Sequence, residues 1–280
     1  MKINLPEQLY VYECSGPASP ETEPQAEGYL GIWPEVPYYY VFFERPADSP
    51  VRRWLLENGN GWCLRNTYQL DYAQWQQVSG RDHEVGPFVI QVGDHTDTAG
   101  GMRGKLSILI NPGVVFGTGL HPTTRGCLLA VARLFEQSCI QTVVDFGTGT
   151  GILALACAKL GASRIIAVDC NPLAIRVALS NAVANGRRSR IELLVARDPS
   201  ILKEPSDLLL LNLEWPCLRQ LLRESEWAKY RQVVLSGFLK SQLPQLMPLI
   251  GDVCEINLVM EQEDWMTLVV APKRPASDVG

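Results

Sequence analysis

The sequence predicts an α/β protein: a doubly wound, mostly parallel sheet over residues 105–280, preceded by a small α+β unit. Three observations carry this. From residue 105 on, β-branched and apolar runs of strand length alternate with segments of helical periodicity, as right-handed βαβ crossovers on a sheet covered on both faces require. A glycine turn, "GTGTG", separates the apolar run "TVVDF" from a helical run, at the carboxyl end of a strand where open α/β sheets hold their ligands. The last two apolar runs are joined by only a short polar link, so they form a hairpin, and one strand at the end of the sheet runs against the rest.

In order along the chain, residues 1–72 hold short strand-like pieces, "QLYVYEC", "GYLGIW" and "YYYVFFE", then a helix over "SPVRRWLLEN" and a strand over "WCLRNTYQL". Between the first two strands, "SGPASPETEPQAEG" combines prolines with acidic residues and reads as a polar loop with no room for a packed helix. Residues 73–104 read as a linker with strand fragments. Then "LSILI" precedes a helix near 123–135, "TVVDF" one near 152–160, and "RIIAVD" one near 172–185. "IELLVA" and "DLLLLNL" follow, then a helix near 217–224, "QVVLSG", a helix near 241–249, and the pair "VCEINLVME" and "DWMTLVVAP".

Composition excludes more than it assigns. With 280 residues, 46% hydrophobic and 20% charged, the chain has the make-up of an ordinary globular protein with room for a main domain and a companion. A net charge of −5 gives no general attraction to phosphate backbones. The short basic run Arg187, Arg188 and Arg190 reads as a solvated turn, so direct nucleic-acid binding is not expected. Eight scattered cysteines make no CxxC pair and no metal spacing with the three histidines, which points to a reducing compartment and no metal. No apolar run reaches the length of a membrane span and the first residues lack a signal segment; a cytoplasmic protein is expected.

Gly147, Gly149 and Gly151 lack Cβ atoms, so the backbone turns tightly and a flat ligand can approach it. Asp169 closes the next strand, where a carboxylate accepts hydrogen bonds from ribose hydroxyls. Together they define an adenosine pocket. A dinucleotide fingerprint wants its third glycine one position later, where Ile152 stands. Asp145, just before the turn, is awkward beside a pyrophosphate and suits a cationic ligand. These residues therefore favour S-adenosylmethionine over a nicotinamide or flavin cofactor. Asp145 itself either faces that ligand or ties down loop N–H groups.

The segments "NPGVVFGTGLHPTT", "VVDFGTGTGILALACAKLGA", "VDCNPLAIRVALSNAVANG", "DLLLLNLEWPCL", "VVLSGFL" and "EDWMTLVV" occur in the order seen in the PrmA family of S-adenosylmethionine-dependent methyltransferases, which the chain resembles from about residue 110 to 270. The resemblance implies a seven-stranded class I methyltransferase sheet, a protein substrate such as a ribosomal protein, and cofactor contacts from Thr124, Gly147, Asp169 and Asn212, with Phe116 and Thr118 lining the same pocket. Thr123 and Thr124 open a helix whose free N–H groups suit a carboxylate. His121, before a proline in a glycine loop, reads as structural. The chain departs from the family at "NLEWPCL", which sets Glu214 and Trp215 at the rim, at the proline-rich loop in place of a first helix, and around "YAQWQQ". The expected reaction is N-methylation of a protein lysine or α-amine, with Asn212 orienting the amine and Glu214 attracting it. RNA or small-molecule methylation, and cofactor binding without catalysis, are the alternatives.

Overall fold

The computed structural model describes residues 7–17, 19–35, 37–76, 82–93, 104–198, 200, 202, 204–224, 226–251 and 253–273. The first four strands, β1 (Gln8–Ser15), β2 (Tyr29–Glu35), β3 (Tyr38–Phe43) and β4 (Cys63–Asp71), make an antiparallel sheet in the order β2-β3-β1-β4. A helix, α1 (Asp48–Glu57), lies between β3 and β4 in the chain. The described part of the proline-rich segment between β1 and β2 is non-helical, as expected, and is tied to α1: Trp54 Nε1 donates to the Thr22 carbonyl (2.7 Å) and Asn58 Oδ1 accepts from Glu21 N (2.8 Å).

The alternation of side chains along these strands gives the sheet two apolar faces. One, with Tyr12, Val41 and Phe43, buries Val51, Trp54 and Leu55 of α1. On the other, Leu9, Val11 and Phe42 pack with Tyr72, Val114, Val115, Leu173 and Ala174 from later in the chain.

The stretch expected as a linker contains α2 (Tyr72–Gln76), β5 (His83–Val85) and β6 (Phe88–Val92), while 77–81 and 94–103 lie outside the described residues. β6 runs parallel to β7 (Leu106–Ile110) and antiparallel to β5, so "LSILI" belongs to a separate three-stranded sheet and not to the main one. Phe88, Ile90, Val92, Ile108 and Ile110 bury these strands in the main core; burying them gains more than leaving them as a solvated tether.

The main sheet has seven strands in the order β10-β9-β8-β11-β12-β14-β13: β8 (Thr142–Phe146), β9 (Arg164–Asp169), β10 (Ile191–Val195), β11 (Leu208–Asn212), β12 (Gln232–Leu239), β13 (Cys254–Gln262) and β14 (Trp265–Pro272). β8 to β12 are mutually parallel. The single reversed strand is β14, and it enters between β12 and β13 instead of closing the sheet. Residue pattern explains the order: β14 is almost continuously apolar and buried, as an interior strand must be, while β13 carries exposed positions along its length.

Five further helices cover the faces: α3 (Pro122–Gln137), α4 (Ile152–Leu160), α5 (Pro172–Ala184), α6 (Trp215–Leu221) and α7 (Leu243–Ile250). α4 is buried from Ile152 to Ala158 and is delimited by left-handed glycines, Gly151 and Gly161. All eight cysteines are free. No helix among the described residues is long and apolar enough to cross a membrane.

Candidate functional site

The glycine turn joins the end of β8 to the start of α4. Gly147, Gly149 and Gly151 have φ of 83°, 55° and 81°, a region that strains any residue with a Cβ. Gly149 also has no space: a Cβ there would lie 2.7 Å from the Phe116 carbonyl oxygen. The backbone of 116–117 rests directly on the turn, with Thr150 N donating to Phe116 O (3.2 Å) and Thr150 Oγ1 to Gly117 O (2.6 Å). Two separate sequence motifs thus form one piece of structure.

Asp169, at the end of β9, completes it. Its Oδ2 accepts from Gly149 N (3.0 Å) and its Oδ1 from Asn171 N (2.9 Å). Each oxygen keeps acceptor capacity for a ligand hydroxyl. Burial raises its pKa, and these backbone N–H groups oppose the shift.

Two predicted contacts serve the turn from behind. Gly151 caps α4 against Ala178. Asp145, 1% exposed, accepts at its Oδ2 from Thr148 Oγ1 (2.6 Å) and Ala154 N (3.2 Å). It therefore ties down the loop, the second of its two readings. A carboxylate so enclosed loses hydration, and burial pushes its pKa up to about 6 against the lowering effect of those two hydrogen bonds. A raised folded-state pKa contributes stability that is complete below the unfolded value near 4 and is lost as pH rises through about 6. Asp145→Asn, whose amide oxygen can accept both bonds, is expected to remove this slope, so that its stability relative to the wild type improves between pH 4.5 and pH 7. Urea titrations of both proteins at pH 4.5, 5.5 and 7 check it; parallel pH dependences would refute the assignment.

The box ahead of α3 supplies the opposite wall. His121 is the N-cap of α3: Nδ1 accepts from Thr123 N (3.3 Å) and lies 2.8 Å from Thr123 Oγ1. Its ring stands edge-on between Phe116 (5.2 Å) and Trp265 (4.9 Å), and burial lowers its pKa. This is a structural histidine, as expected. Thr118 and Thr124 are buried, and Thr124 Oγ1 has no hydrogen-bond partner among the described residues.

Asn212 ends β11 at the sheet rim, in register with Ser236. Glu214 is exposed at the N-cap position of α6 and makes no side-chain cap bond. Trp215 packs on Phe238 (6.3 Å between centroids). The position of this rim depends on a residue the motif reading missed. Gly237, at φ 93°, has the Leu213 backbone so close that a Cβ would lie 1.9 Å from its carbonyl oxygen. A glycine inside a strand pattern is the available signal for such an approach. Asn181 on α5 and Asn185, its C-cap four residues on, were also missed. Asn181 bridges Asn111 and Thr150 O, while Asn185 pairs with the backbone of Leu109. They brace the chain leading to Phe116.

A pocket opens beside that chain, lined by Trp33, Trp75, Val114, Val115, Phe116, Gly117, Thr118 and His121. The donor set suits an adenosine-containing cation. It offers a carboxylate with spare acceptor sites at Asp169, a buried hydroxyl in need of a partner at Thr124, and the start of α3, whose N-cap His121 lines the pocket.

Comparison with known proteins bears on this geometry. The family profile "Ribosomal protein L11 methyltransferase (PrmA)" matches residues 83–273. A ribosomal protein L11 methyltransferase of Colwellia psychrerythraea is 38% identical over 165 residues, 58% of this chain and 55% of the relative. That of Tolumonas auensis is 37% identical over 166 residues, 58% and 56% respectively. The chain thus spans about half the length of these curated relatives. Among solved structures, ribosomal protein L11 methylase from Lactobacillus delbrueckii subsp. bulgaricus superposes with a TM-score of 0.58 at 28% identity, covering 67% of this chain and 95% of that one. The glycine turn, Asp169, Asn212 and the box from Phe116 to Thr124 all fall inside the matched residues, and the chain belongs to the ribosomal protein L11 methyltransferase (PrmA) family.

Proposed function

We propose that the chain is a cytoplasmic S-adenosylmethionine-dependent N-methyltransferase acting on an amino group of a ribosomal protein, with residues 1–72 recognising that protein. The observation that carries this is the single cradle made by 116–118, the glycine turn and Asp169, with the unpartnered Thr124 hydroxyl at the start of α3.

In this reading Asp169 accepts from the ribose hydroxyls, and Gly147 and Gly149 let the ligand approach the backbone. Thr124, through its hydroxyl and its backbone N–H at the start of α3, holds a carboxylate, with Phe116 and Thr118 as walls. Asp145 acts through its charge from beneath. When bound, S-adenosylmethionine supplies a methyl group on a sulfonium.

The protein's own task is to align and dehydrate an amine. Only roughly one lysine in 2,500 is neutral at pH 7, a cost of about 4 to 5 kcal/mol that desolvation at the rim reduces. Asn212, with the adjoining backbone carbonyls, orients the neutral amine, so no strong base is required. Glu214, exposed at the rim, attracts the incoming cation. Glu214→Ala should raise KM for the protein acceptor about threefold to tenfold with kcat little changed; full retention of KM would remove Glu214 from this role.

Incubating the purified chain with methyl-labelled cofactor, isolated large-subunit ribosomal proteins and total cell extract tests the assignment. Label in a ribosomal protein is expected. Label confined to RNA or to small metabolites, or cofactor binding with no transfer, would refute it.

A further inference from the structure

Most of the pocket beside Phe116 is accounted for by the cofactor loop, but two of its walls are not. Trp33 comes from β2 and Trp75 from α2, and both lie outside the residues matched by the family profile. We propose that Trp33, Trp75 and Phe116 form an aromatic cage for a methylated alkylammonium group, the cationic head of the acceptor. The acceptor being an amine rests on the function proposed above.

The first support is exposure. Trp75 and Phe116 leave 42% and 51% of their surfaces open, although each is firmly held. Trp75 packs at a tilt against Phe42 (5.7 Å between centroids) and its Nε1 reaches Val114 O (3.4 Å), and the Phe116 backbone is fixed to the glycine turn. Exposed aromatic surface gathered at one pocket is apolar area that packing leaves unused, and a pocket is where such surface acquires a use.

Charge is the second support. The lining holds no lysine or arginine, and burial keeps His121 toward its neutral form. Beyond the lining, Glu263 acts on His121 and is itself paired with Arg125 (3.8 Å), and Glu13 lies on the same sheet face as Trp33, two strands away in the row Trp33, Tyr40, Glu13. Glu13 Oε2 accepts from Tyr68 Oη (2.5 Å) and Asn66 Nδ2 (2.8 Å), bonds that lower its pKa and keep it ionised. Aromatic rings in a lining without a lysine or arginine are what a weakly hydrated ammonium prefers. A bare ammonium holds its water more tightly, so methylation strengthens the interaction.

The third is position. Phe116 belongs both to this pocket and to the cradle over the glycine turn, so an alkylammonium held here lies next to the proposed cofactor.

The test uses the full chain and two probes of equal shape, Nε-trimethyllysine amide and its uncharged analogue with a tert-butyl head, titrated by calorimetry and tryptophan fluorescence. The charged probe should bind at least fivefold more tightly. Trp33→Leu and Trp75→Leu, which keep apolar bulk without a ring face, should each cost the charged probe at least fivefold. Affinity for S-adenosylhomocysteine should stay within twofold, which also shows that the variants are folded. Equal binding of the two probes, or no binding, overturns the cage. So does a loss of S-adenosylhomocysteine affinity in folded Leu variants, which would make these rings part of the cofactor site. Label transfer by the wild type is read separately: transfer without charge discrimination sinks the cage alone, and discrimination without transfer sinks the enzyme reading alone.

Discussion

Replacing Gly237 by alanine should destabilise the protein by about 3 kcal/mol and lower methyl transfer at least 100-fold. Two costs add: roughly 1–2 kcal/mol for a side chain at positive φ and about 1–3 kcal/mol for overpacking. Neither can be relieved by a rotamer change. The atoms in the way are the backbone N, C and O of Leu213, the nearest 1.9 Å from the added carbon. The chain must move, and it carries Asn212 on one side and Glu214 on the other. Leu213 N also donates to Ser236 O (3.3 Å), so the displacement strains β12 as well. Urea unfolding and single-turnover transfer measured together check this. A variant with wild-type stability and rate would show that the rim is not set by this contact.

Asp169→Ala should weaken S-adenosylhomocysteine binding at least 100-fold while leaving the chain folded. A carboxylate accepting from hydroxyls forms charge-assisted bonds of about 1.5–3 kcal/mol each, and every 1.4 kcal/mol is tenfold in affinity. The loss exceeds the ribose contacts, because Gly149 N and Asn171 N lose their acceptor and the turn loosens. Against this, removing a buried carboxylate recovers its desolvation cost, so the melting point should fall less than the affinity does. Calorimetry with S-adenosylhomocysteine reads the first quantity and a thermal melt the second. Undiminished affinity would put the nucleoside elsewhere.

What could be read from the sequence, and what could not, follows from the range of the interactions. Alternating strands and helices, the bounds of α4 and the placing of Asp169 beside the glycine turn depend on local periodicity and on glycine's freedom at positive φ, and they were legible. The position of β14 was harder, because adjacency in a sheet is decided by partners distant in sequence. Its unbroken apolar run, against the exposed positions of β13, held the information. β5 and β6 fall in the stretch expected as a linker with strand fragments: each is short and a Gly-Pro step separates them, and their burial with α3 and α4 is what makes them part of the core. In the site, Gly237, Asn181 and Asn185 act on backbone atoms, which motif reading does not see. Trp33 and Trp75 reach the pocket from another sheet and another helix, and no spacing predicts that.

The seam formed by Leu9, Val11 and Phe42 against Val114, Val115, Leu173 and Ala174 bears on how such a protein can diversify. Gly31 fits there only because it has no side chain to collide with Leu173, and Tyr72 Oη donates to Gly113 O (2.5 Å) on the same border. Close-packed surfaces tolerate little change in volume, so the front sheet is not an interchangeable module. A lineage acquiring a new acceptor would have to keep this border and vary the positions of the same sheet face beyond it, where Tyr38 and Tyr68 already stand exposed.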